Sequence, residues 1–249
     1  MKVSVLMGGT SAERGVSLKT GKAVIDACVD LGYKTTPVDF SGDYSSILND
    51  LKSSDIVFNA LHGTVGEDGT IQSWLDENNI SYTGSDSNSS KLCMNKNESK
   101  KIVSKENHLT PSWSFIDNND LGLVDEAIKS VQFPCIVKPN SQGSTFGLSI
   151  VHNYNELLKA IRLSGKYDNA SLIEEYIIGR EITVGILGGR ALPIVEIIPD
   201  HQLYDYECKY EPGMSQYVCP AEIGFNKGKK IMEDSEKIFK LLGCDGYGR

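Results

Sequence analysis

The sequence predicts an α/β fold whose first part is an open parallel sheet covered by helices. Apolar, strand-like runs alternate with helical segments there, and this βαβ rhythm is typical of parallel sheets. Two glycine-containing turns, Gly8-Gly9 and His62-Gly63, follow strand-like runs, where ligands of such sheets bind. Hydrophobic residues make up 40% and charged residues 23% of the 249 residues, which is typical of a globular protein. We therefore predict a Rossmann-like first half.

The elements of this first part follow one another along the chain. Residues 3–7 predict a strand, Val16–Leu31 a helix closed by Gly32, and Lys34–Val38 a second strand. The apolar side of this helix is predicted to consist of Val16, Ala23, Val24, Ala27 and Leu31. The segments SSILNDLK, DIVFNALHG, TIQSWLDENN and ISYTG continue the pattern as helix, strand, helix and short strand. The complete GxGxxG pattern is absent, so the sequence does not indicate a dinucleotide site.

The second part begins near Asn95 and has a different pattern. A lysine-rich helix, strands and two further helices up to residue 163 predict a small α+β unit. From Ser171 we predict strands SLIEEYI and REITVGIL, a turn at Gly188-Gly189, and ALPIVEII as the return strand of a hairpin. The tyrosine-rich stretch Pro199–Glu222 is predicted to be irregular, and KKIMEDSEKIFKLLG to be an amphipathic helix.

The segment FPCIVKPNSQGSTFG (133–147) predicts a phosphate site. Lys138 lies at the end of a short apolar strand, and Pro139 is predicted to stop its pairing. Gly143 and Gly147 leave backbone N–H groups accessible, and hydroxyls are supplied by Ser141, Ser144 and Thr145. The segment does not match GxxxxGK[ST]. From these residues alone, a simple hairpin loop between CIVK and LSIV is an equally good interpretation.

Composition argues against several classes of function. The net charge is −8 and the lysines are dispersed, which argues against a nucleic-acid-binding face. The six cysteines show no CxxC spacing, which argues against a disulfide scaffold and a zinc site. No apolar run approaches the ~20 residues of a membrane span. The N-terminal run predicts a strand rather than a signal peptide, so we expect a cytoplasmic protein.

Eight motifs in order resemble the ATP-grasp enzymes and, among them, the D-alanine–D-alanine ligases. They are GGTSAERGVS (Gly8–Ser17), ALHGTVGEDGTIQ (Ala60–Gln72), YTGS (Tyr82–Ser85), IVKPNSQGSTFG (Ile136–Gly147), IEEYIIGREITV (Ile173–Val184), YDYECKY (Tyr204–Tyr210), CPAE (Cys219–Glu222) and GYGR (Gly246–Arg249). The resemblance implies a Rossmann-like N-terminal domain on the substrate side (1–95). An incomplete ATP-grasp domain follows, with a central subdomain carrying the glycine-rich loop (96–180) and a truncated C-terminal subdomain (181–249).

The resemblance also implies a reaction. Family members join two D-alanines at the expense of ATP, through a D-alanyl phosphate intermediate, for peptidoglycan precursors. They use Mg²⁺ or Mn²⁺, and a homodimer is implied. The family's metal-binding acids follow the position of Arg249, where this sequence ends, so no metal ligand is predicted. Two alternatives are a catalytically impaired ATP- and D-alanine-binding fragment and an ATP-grasp ligase for another amino acid.

By resemblance, three lysines contact the phosphates of ATP. Lys96 and Lys138 are expected at the inner phosphates and Lys209 at the terminal one, with Gly143 and Ser144 contributing from the glycine-rich loop. Converging cations suit this chemistry because they spread the charge of the transferred phosphoryl group.

The nucleoside part of ATP is assigned by the same resemblance. Glu174 matches the position that holds the adenine amino group, and Glu181 the one that holds the ribose hydroxyls. The backbone of Glu175 and Ile177 is expected to line the hinge. The alternative interpretation is that these acids form the solvated face of an edge strand.

The resemblance places the amino-acid substrate beside Glu13, which takes the ammonium of the first D-alanine. The alternative for Glu13 is an acid favoured by a helix N-terminus. His62 is expected near the substrate carboxylate, although a satisfied histidine at a strand end is the alternative. Ser144 and Tyr210 are expected to form a hydrogen-bonded trio with Glu13 that excludes water, and Arg249 to stabilise the oxyanion of the tetrahedral intermediate.

Overall fold

In the computed structural model, the described residues are 1–118, 120 and 124–249. The chain divides into two compact units, residues 1–91 with 243–248, and residues 92–242 with 249. The helices are α1 Arg14–Asp30, α2 Tyr44–Lys52, α3 Thr70–Glu77, α4 Ser87–Met94, α5 Lys96–Lys105, α6 Val124–Ala127, α7 Tyr154–Ser164, α8 Tyr206–Tyr210 and α9 Phe225–Leu241. The strands are β1 Lys2–Gly8, β2 Lys34–Phe40, β3 Ile56–Asn59, β4 Trp113–Asp117, β5 Cys135–Pro139, β6 Ser149–Val151, β7 Ala170–Glu175, β8 Glu181–Thr183, β9 Ile186–Leu187, β10 Arg190–Ala191, β11 Val195–Pro199, β12 Ser215–Val218 and β13 Tyr247–Gly248.

The first unit contains the predicted parallel sheet. Its strands lie in the order β2–β1–β3, and both pairings are parallel. The central strand β1 is buried at Val5 and Leu6, and Phe40, Leu51 and Leu75 add fully buried side chains to the core. Parallel sheets covered by helices require such continuous apolar strands. The predicted Rossmann-like arrangement is thus present.

The predicted apolar side of α1 is confirmed for Val24, which packs partly buried against the core around Val3 and Val5, and wrong for the alanines. Ala23 and Ala27 are exposed, and the buried residues of this helix are Ser17 and Gly21. A Cβ atom at Gly21 would lie 2.5 Å from Met7 Sδ, so glycine allows the helix to approach β1 closely. The small residues that permit this contact carry little hydrophobic signal in the sequence.

The second unit is built on an antiparallel sheet in the order β4–β7–β5–β6. One face packs on α7 through Leu157 and Ile161, and Val137 and Ile173 are also fully buried in this core. Lys138 follows Val137 in β5, with the alternation of a strand placing its side chain on the opposite face. The sheet therefore fixes Lys138 close to the end of a buried strand.

The prediction that Pro139 stops the pairing of β5 is wrong, because Pro139 lies in the strand opposite Ser171 of β7. The next residue, Asn140, donates its N–H to Ala170 O at 3.0 Å, so residue 140 faces β7. Backbone groups alternate in direction along an antiparallel strand. Pro139, which has no N–H, therefore faces the side where β6 pairing has already ended at Ser149.

The segment 199–222 is more regular than predicted. It contains α8 and β12, and β12 pairs antiparallel with β11, which in turn pairs with β8. Asp205 begins α8 because its carboxylate accepts the N–H of Cys208 at 2.9 Å, a local capping signal that the sequence contains. The predicted hairpin is present as the pairs β8–β11 and β9–β10. None of the helices in the described ranges is long and apolar enough to cross a membrane.

Candidate active site

Lys96 lies at the start of α5 and points at the base of the glycine-rich loop. Its Nζ donates to the carbonyl oxygens of Gln142 at 2.7 Å and Asn140 at 3.3 Å. Its pKa is lowered to about 8, first because burial penalises the charged form and then because Lys138 and Lys209 carry like charge. The three lysines predicted to bind phosphate are therefore close enough for their charges to interact.

Lys138 forms an ion pair with Glu174, whose other carboxylate oxygen accepts from Lys100 at 3.0 Å. Burial raises the pKa of Glu174, but the charges and hydrogen bonds of the two lysines outweigh burial and lower it overall. The carboxylate is therefore ionised near neutral pH. Two lysines share this one carboxylate, so the group Lys100–Glu174–Lys138 carries an excess positive charge.

The glycine-rich loop, residues 140–148, joins β5 to β6. The hairpin interpretation is confirmed, because the loop connects two antiparallel strands. Phosphate binding by the loop stays a prediction. Ser144 and Thr145 have φ values of 48° and 65°, in the left-handed region of backbone conformation that residues other than glycine rarely adopt. Such strained conformations cluster at functional sites, where the surroundings hold them in place.

The residues around α8 contact this loop. Ser144 Oγ lies 3.0 Å from Tyr210 Oη, and Thr145 Oγ1 donates to the carbonyl of Tyr204 at 2.9 Å. Lys209 Nζ donates to Thr145 Oγ1 at 2.8 Å. Helix α8 thus brings Lys209 and Tyr210 to the two strained residues of the loop.

Glu181 and Arg249 lie near the same helix. Burial raises the pKa of Glu181, and the charge of Lys209 opposes that rise. Burial and Tyr217 raise the pKa of Tyr204, and the charge of Arg249 lowers it in part. Glu181 is thus within electrostatic range of Lys209, and Arg249 of Tyr204.

The two residues expected to line the adenine hinge lie at the end of β7. Glu175 is the last residue of the strand, and its backbone N–H is donated to Ser112 O at 2.9 Å. Ile177 follows the strand, and its side chain is 57% exposed. The N–H of Glu175 therefore already donates to Ser112, and a nucleotide bound here would find this donor occupied.

In the first unit, Glu13 lies between β1 and α1, and His62 lies three residues after the end of β3. Glu13 is buried at the N-cap position of α1, but its side chain makes no capping hydrogen bond. A Cβ atom at Gly63, whose φ is 71°, would lie 2.8 Å from Glu13 Oε2, so only glycine fits beside the carboxylate. His62 Nε2 lies 3.0 Å from Thr20 Oγ1, and its Nδ1 lies 3.3 Å from Glu67 Oε1.

Among the described residues, one group has the composition of a metal site, namely His201, Asp205 and Cys208, with ligand atoms within 4.8 Å of one another. Asp205 already accepts from Cys208 N and contacts His201 Nδ1 at 2.8 Å. Mg²⁺ prefers oxygen ligands, so this mixed set does not suit it. Glu174, at the lysines, is already paired with two cations. The residues described at these sites do not fit Mg²⁺.

Family models match both parts of the chain. The model of the D-ala D-ala ligase C-terminus matches residues 110–249, and that of the N-terminus matches residues 45–85. A D-alanine–D-alanine ligase from Aquifex aeolicus is 45% identical over 251 residues, covering 100% of this chain and 84% of the relative. The chain belongs to the D-alanine–D-alanine ligase family.

Solved structures of D-alanine–D-alanine ligases confirm the predicted ATP-grasp fold. The Bacillus anthracis D-alanine–D-alanine ligase complexed with ATP matches with a TM-score of 0.85 and 34% identity, covering 99% of this chain and 80% of that one. The VanG D-Ala:D-Ser ligase from Enterococcus faecalis matches with a TM-score of 0.83 and 28% identity, covering 99% and 84%. The predicted boundaries at 95/96 and 180/181 stay predictions.

No role was predicted from the sequence for three further residues, although Asn140 lies within the motif Ile136–Gly147. Asn140 is buried and its Oδ1 accepts the N–H of Asn97 at 2.9 Å, while Asp168 accepts the N–H of Ser141. Lys100 lies four residues after Lys96, so helical spacing could have placed both on one face. Asp168 comes from the turn before β7, and no local pattern indicates its contact.

Proposed function

We propose that this protein binds ATP at the lysine cluster and uses it to join two D-alanines through a D-alanyl phosphate, for peptidoglycan precursors. One observation of the structure carries this proposal. Lys96, Lys138 and Lys209 come from a helix, a strand and a second helix, and their charges interact beside one glycine-rich loop. Separate elements that bring like charges together at a cost favour an anionic ligand. Membership in the family supports ATP as that ligand.

In this proposal the lysines and the loop hold the phosphates. The ammonium groups neutralise the charge of the transferred phosphoryl group, which is the main requirement of such a reaction. Lys209 Nζ and the hydroxyl of Thr145 are 2.8 Å apart, so the terminal phosphate would take over a contact that already exists. The Ser144–Tyr210 hydrogen bond joins the loop to α8 and helps exclude water from the acyl phosphate. The bond of this pair to Glu13 stays a prediction.

The acids of the second unit have roles at the nucleoside. Glu174 would accept a hydrogen bond from the adenine amino group, and Glu181 would accept from the ribose hydroxyls. Burial of Glu174 supports its role, since a buried acceptor favours a ligand donor over water. The role of Glu181 is supported by its position near Lys209, whose charge acts on its pKa. Ile177, being exposed, offers apolar surface and backbone groups to the base.

The first unit is proposed to bind D-alanine. Glu13 has a buried carboxylate beside Gly63, and a carboxylate at a buried site binds an ammonium ligand through a strong charged hydrogen bond. His62 is proposed to face the substrate carboxylate. Arg249 would stabilise the oxyanion that forms when the second D-alanine attacks, because a guanidinium stays charged at all relevant pH values.

Mg²⁺ or Mn²⁺ is proposed to accompany ATP, where it would neutralise phosphate charge. We assign it no protein ligand, since Glu174, the acid in contact with the lysines, is already paired with two of them. The homodimer and the cytoplasmic location stay predictions, and light scattering of the purified chain tests the first.

D-alanine–D-serine ligation is a second candidate, favoured by the similarity to VanG D-Ala:D-Ser ligase at 28% identity. The identity to the D-alanine–D-alanine ligase from Aquifex aeolicus is higher, at 45%, so D-alanine is the preferred second substrate. Competition between D-alanine and D-serine for the second position separates the two candidates, with the dipeptides distinguished by mass spectrometry.

The deciding experiment measures phosphate release from ATP and Mg²⁺ by this chain, with and without D-alanine, and identifies the product by mass spectrometry. L-Alanine is the matched control. We expect D-alanine-dependent release and a D-alanyl-D-alanine product. ATP binding without D-alanine-dependent release would overturn ligation by this chain and support the alternative of an impaired binding fragment. Release that depends on another amino acid would support the other ATP-grasp alternative.

A further inference from the structure

Lys100 has no role in the proposed function, yet it is one of the most enclosed lysines of the second unit. Its side chain is 12% exposed, and Nζ donates to Thr110 Oγ1 at 2.7 Å and Glu174 Oε2 at 3.0 Å. Nζ also lies 5.0 Å from the centroid of the Trp113 ring, within the range of a cation–π interaction. Three different partners therefore fix the position of one ammonium group.

The aromatic partner is itself held in place. Trp113 Nε1 donates to Asn97 Oδ1 at 3.0 Å, and Asn97 is buried in α5, the helix that carries Lys100. The ring therefore cannot turn away without breaking a hydrogen bond. The Trp113 ring thus contacts Lys100 through its face and Asn97 through its N–H. Side chains fixed by several such contacts are typical of the residues that support a neighbouring binding site.

The contact between Lys100 and Glu174 changes the charge balance around Lys138. The Glu174 carboxylate is 8% exposed and contacts two lysines, Lys138 through Oε1 and Lys100 through Oε2. A buried carboxylate that had only one lysine would hold it as a neutral pair. With two lysines, the group keeps an excess positive charge that an incoming anion can use.

We propose that Lys100 is a positioning residue that holds Glu174 and thereby leaves the charge of Lys138 available to the phosphates of ATP. This inference rests on the proposed function, because it assigns the anion to ATP. Lys100 acts through Glu174 and does not itself touch the nucleotide. The competing role is purely structural, in which the Lys100–Glu174 pair only joins α5 to β7.

The test measures the dissociation constant of MgATP by isothermal titration calorimetry on the complete 249-residue chain. We expect Lys100→Met to weaken binding about tenfold, because one charged hydrogen bond to Glu174 is lost. Lys101→Met is the matched control, because the neighbouring Lys101 is 56% exposed and pairs with Glu98 on the same helix. The control is expected to bind like the unmodified chain.

A double-mutant cycle separates positioning from packing. If Lys100 acts through Glu174, Lys100→Met changes affinity by less than about twofold once Glu174→Gln is present. Additive effects in the cycle, or a folded Lys100→Met variant with unchanged affinity, overturn the proposal. Lys100→Gln keeps a hydrogen-bond donor without the charge, and it provides the same comparison if the methionine variant does not fold.

The outcomes distinguish this inference from the proposed function. An unmodified chain that is folded and does not bind ATP contradicts the proposed function and, with it, the role of Lys100. An unmodified chain that binds ATP while Lys100→Met and Lys100→Gln bind equally well contradicts the role of Lys100 alone.

Discussion

The two units gather charges of opposite sign. In the second unit, Lys100 and Lys138 contact Glu174, and burial and the like charges of Lys138 and Lys209 lower the pKa of Lys96 to about 8. In the first unit, Glu13 is buried and Glu67 contacts His62 at 3.3 Å. A bound polyphosphate would stabilise the charged forms of neighbouring lysines, and a bound ammonium group would stabilise the charged form of a buried carboxylate. This difference agrees with the proposal that ATP is bound by the second unit and the amino group of D-alanine by the first.

The largest expected effect concerns the second unit alone. Lys138→Ala removes a phosphate-binding cation, and we expect the affinity for MgATP to fall about 100-fold, in line with a charged interaction of roughly 3 kcal/mol. Glu174 keeps Lys100 as a partner, so the fold should survive. Calorimetric titration measures the effect. Lys129→Ala, at a lysine that is 68% exposed, is the control, and equal affinities in both variants would contradict the assignment.

The second prediction tests whether the units are separable in function. Glu13→Gln keeps the shape of the side chain and removes its charge, so we expect the apparent affinity for D-alanine to fall about 50-fold. ATP affinity should change by less than about threefold. D-Alanine-dependent phosphate release and ATP titration measure the two quantities. The control is Glu77→Gln, at an exposed acid of the same unit, and a large loss of ATP affinity in Glu13→Gln would break the comparison.

Much of this contrast could be predicted from the sequence. Lys138 and the glycine-rich loop were identified because a strand, a lysine and a run of small residues are adjacent in the chain. Lys100 and Asp168 were not, since their contacts depend on how α5 and the turn before β7 pack. The buried side of α1 was mispredicted for a related reason. Close packing through Ser17 and Gly21 follows from shape rather than from hydrophobicity.

The third prediction concerns the close packing of α1 on β1 at Gly21. It tests the stability of the first unit and not its binding of D-alanine. Alanine at Gly21 would place Cβ 2.6 Å from Met7 Cβ, so we expect the free energy of unfolding to fall by about 2 kcal/mol. Gly15→Ala is the matched control, because nothing lies within 4 Å of its added Cβ. There, alanine should stabilise α1 by up to about 1 kcal/mol. Urea denaturation compares the two, and equal stabilities would contradict the close approach of α1.

The smallest effect is a change in protonation at Lys96, and it distinguishes a crowded cation from an ordinary one. With its pKa at about 8, Lys96 is about half neutral at pH 8, and phosphate oxygens nearby would restore its charge. ATP binding at pH 8 should therefore take up about half a proton, which calorimetry in buffers of different ionisation enthalpy measures. Lys96→Met should abolish this uptake, and an unchanged uptake would assign it to another group.

The same pKa has the opposite consequence for stability. The ordinary pKa of lysine is 10.5, so between about pH 8 and 10.5 the unfolded chain holds a proton that the folded chain has lost. The free energy of unfolding contributed by Lys96 therefore rises with pH across this window, while ATP affinity falls. Urea denaturation at pH 7.5 and 9.5 should show that part of the pH dependence disappears in Lys96→Met. Opposite slopes for stability and binding would show that the cations of the second unit are held together for the ligand at the expense of the fold.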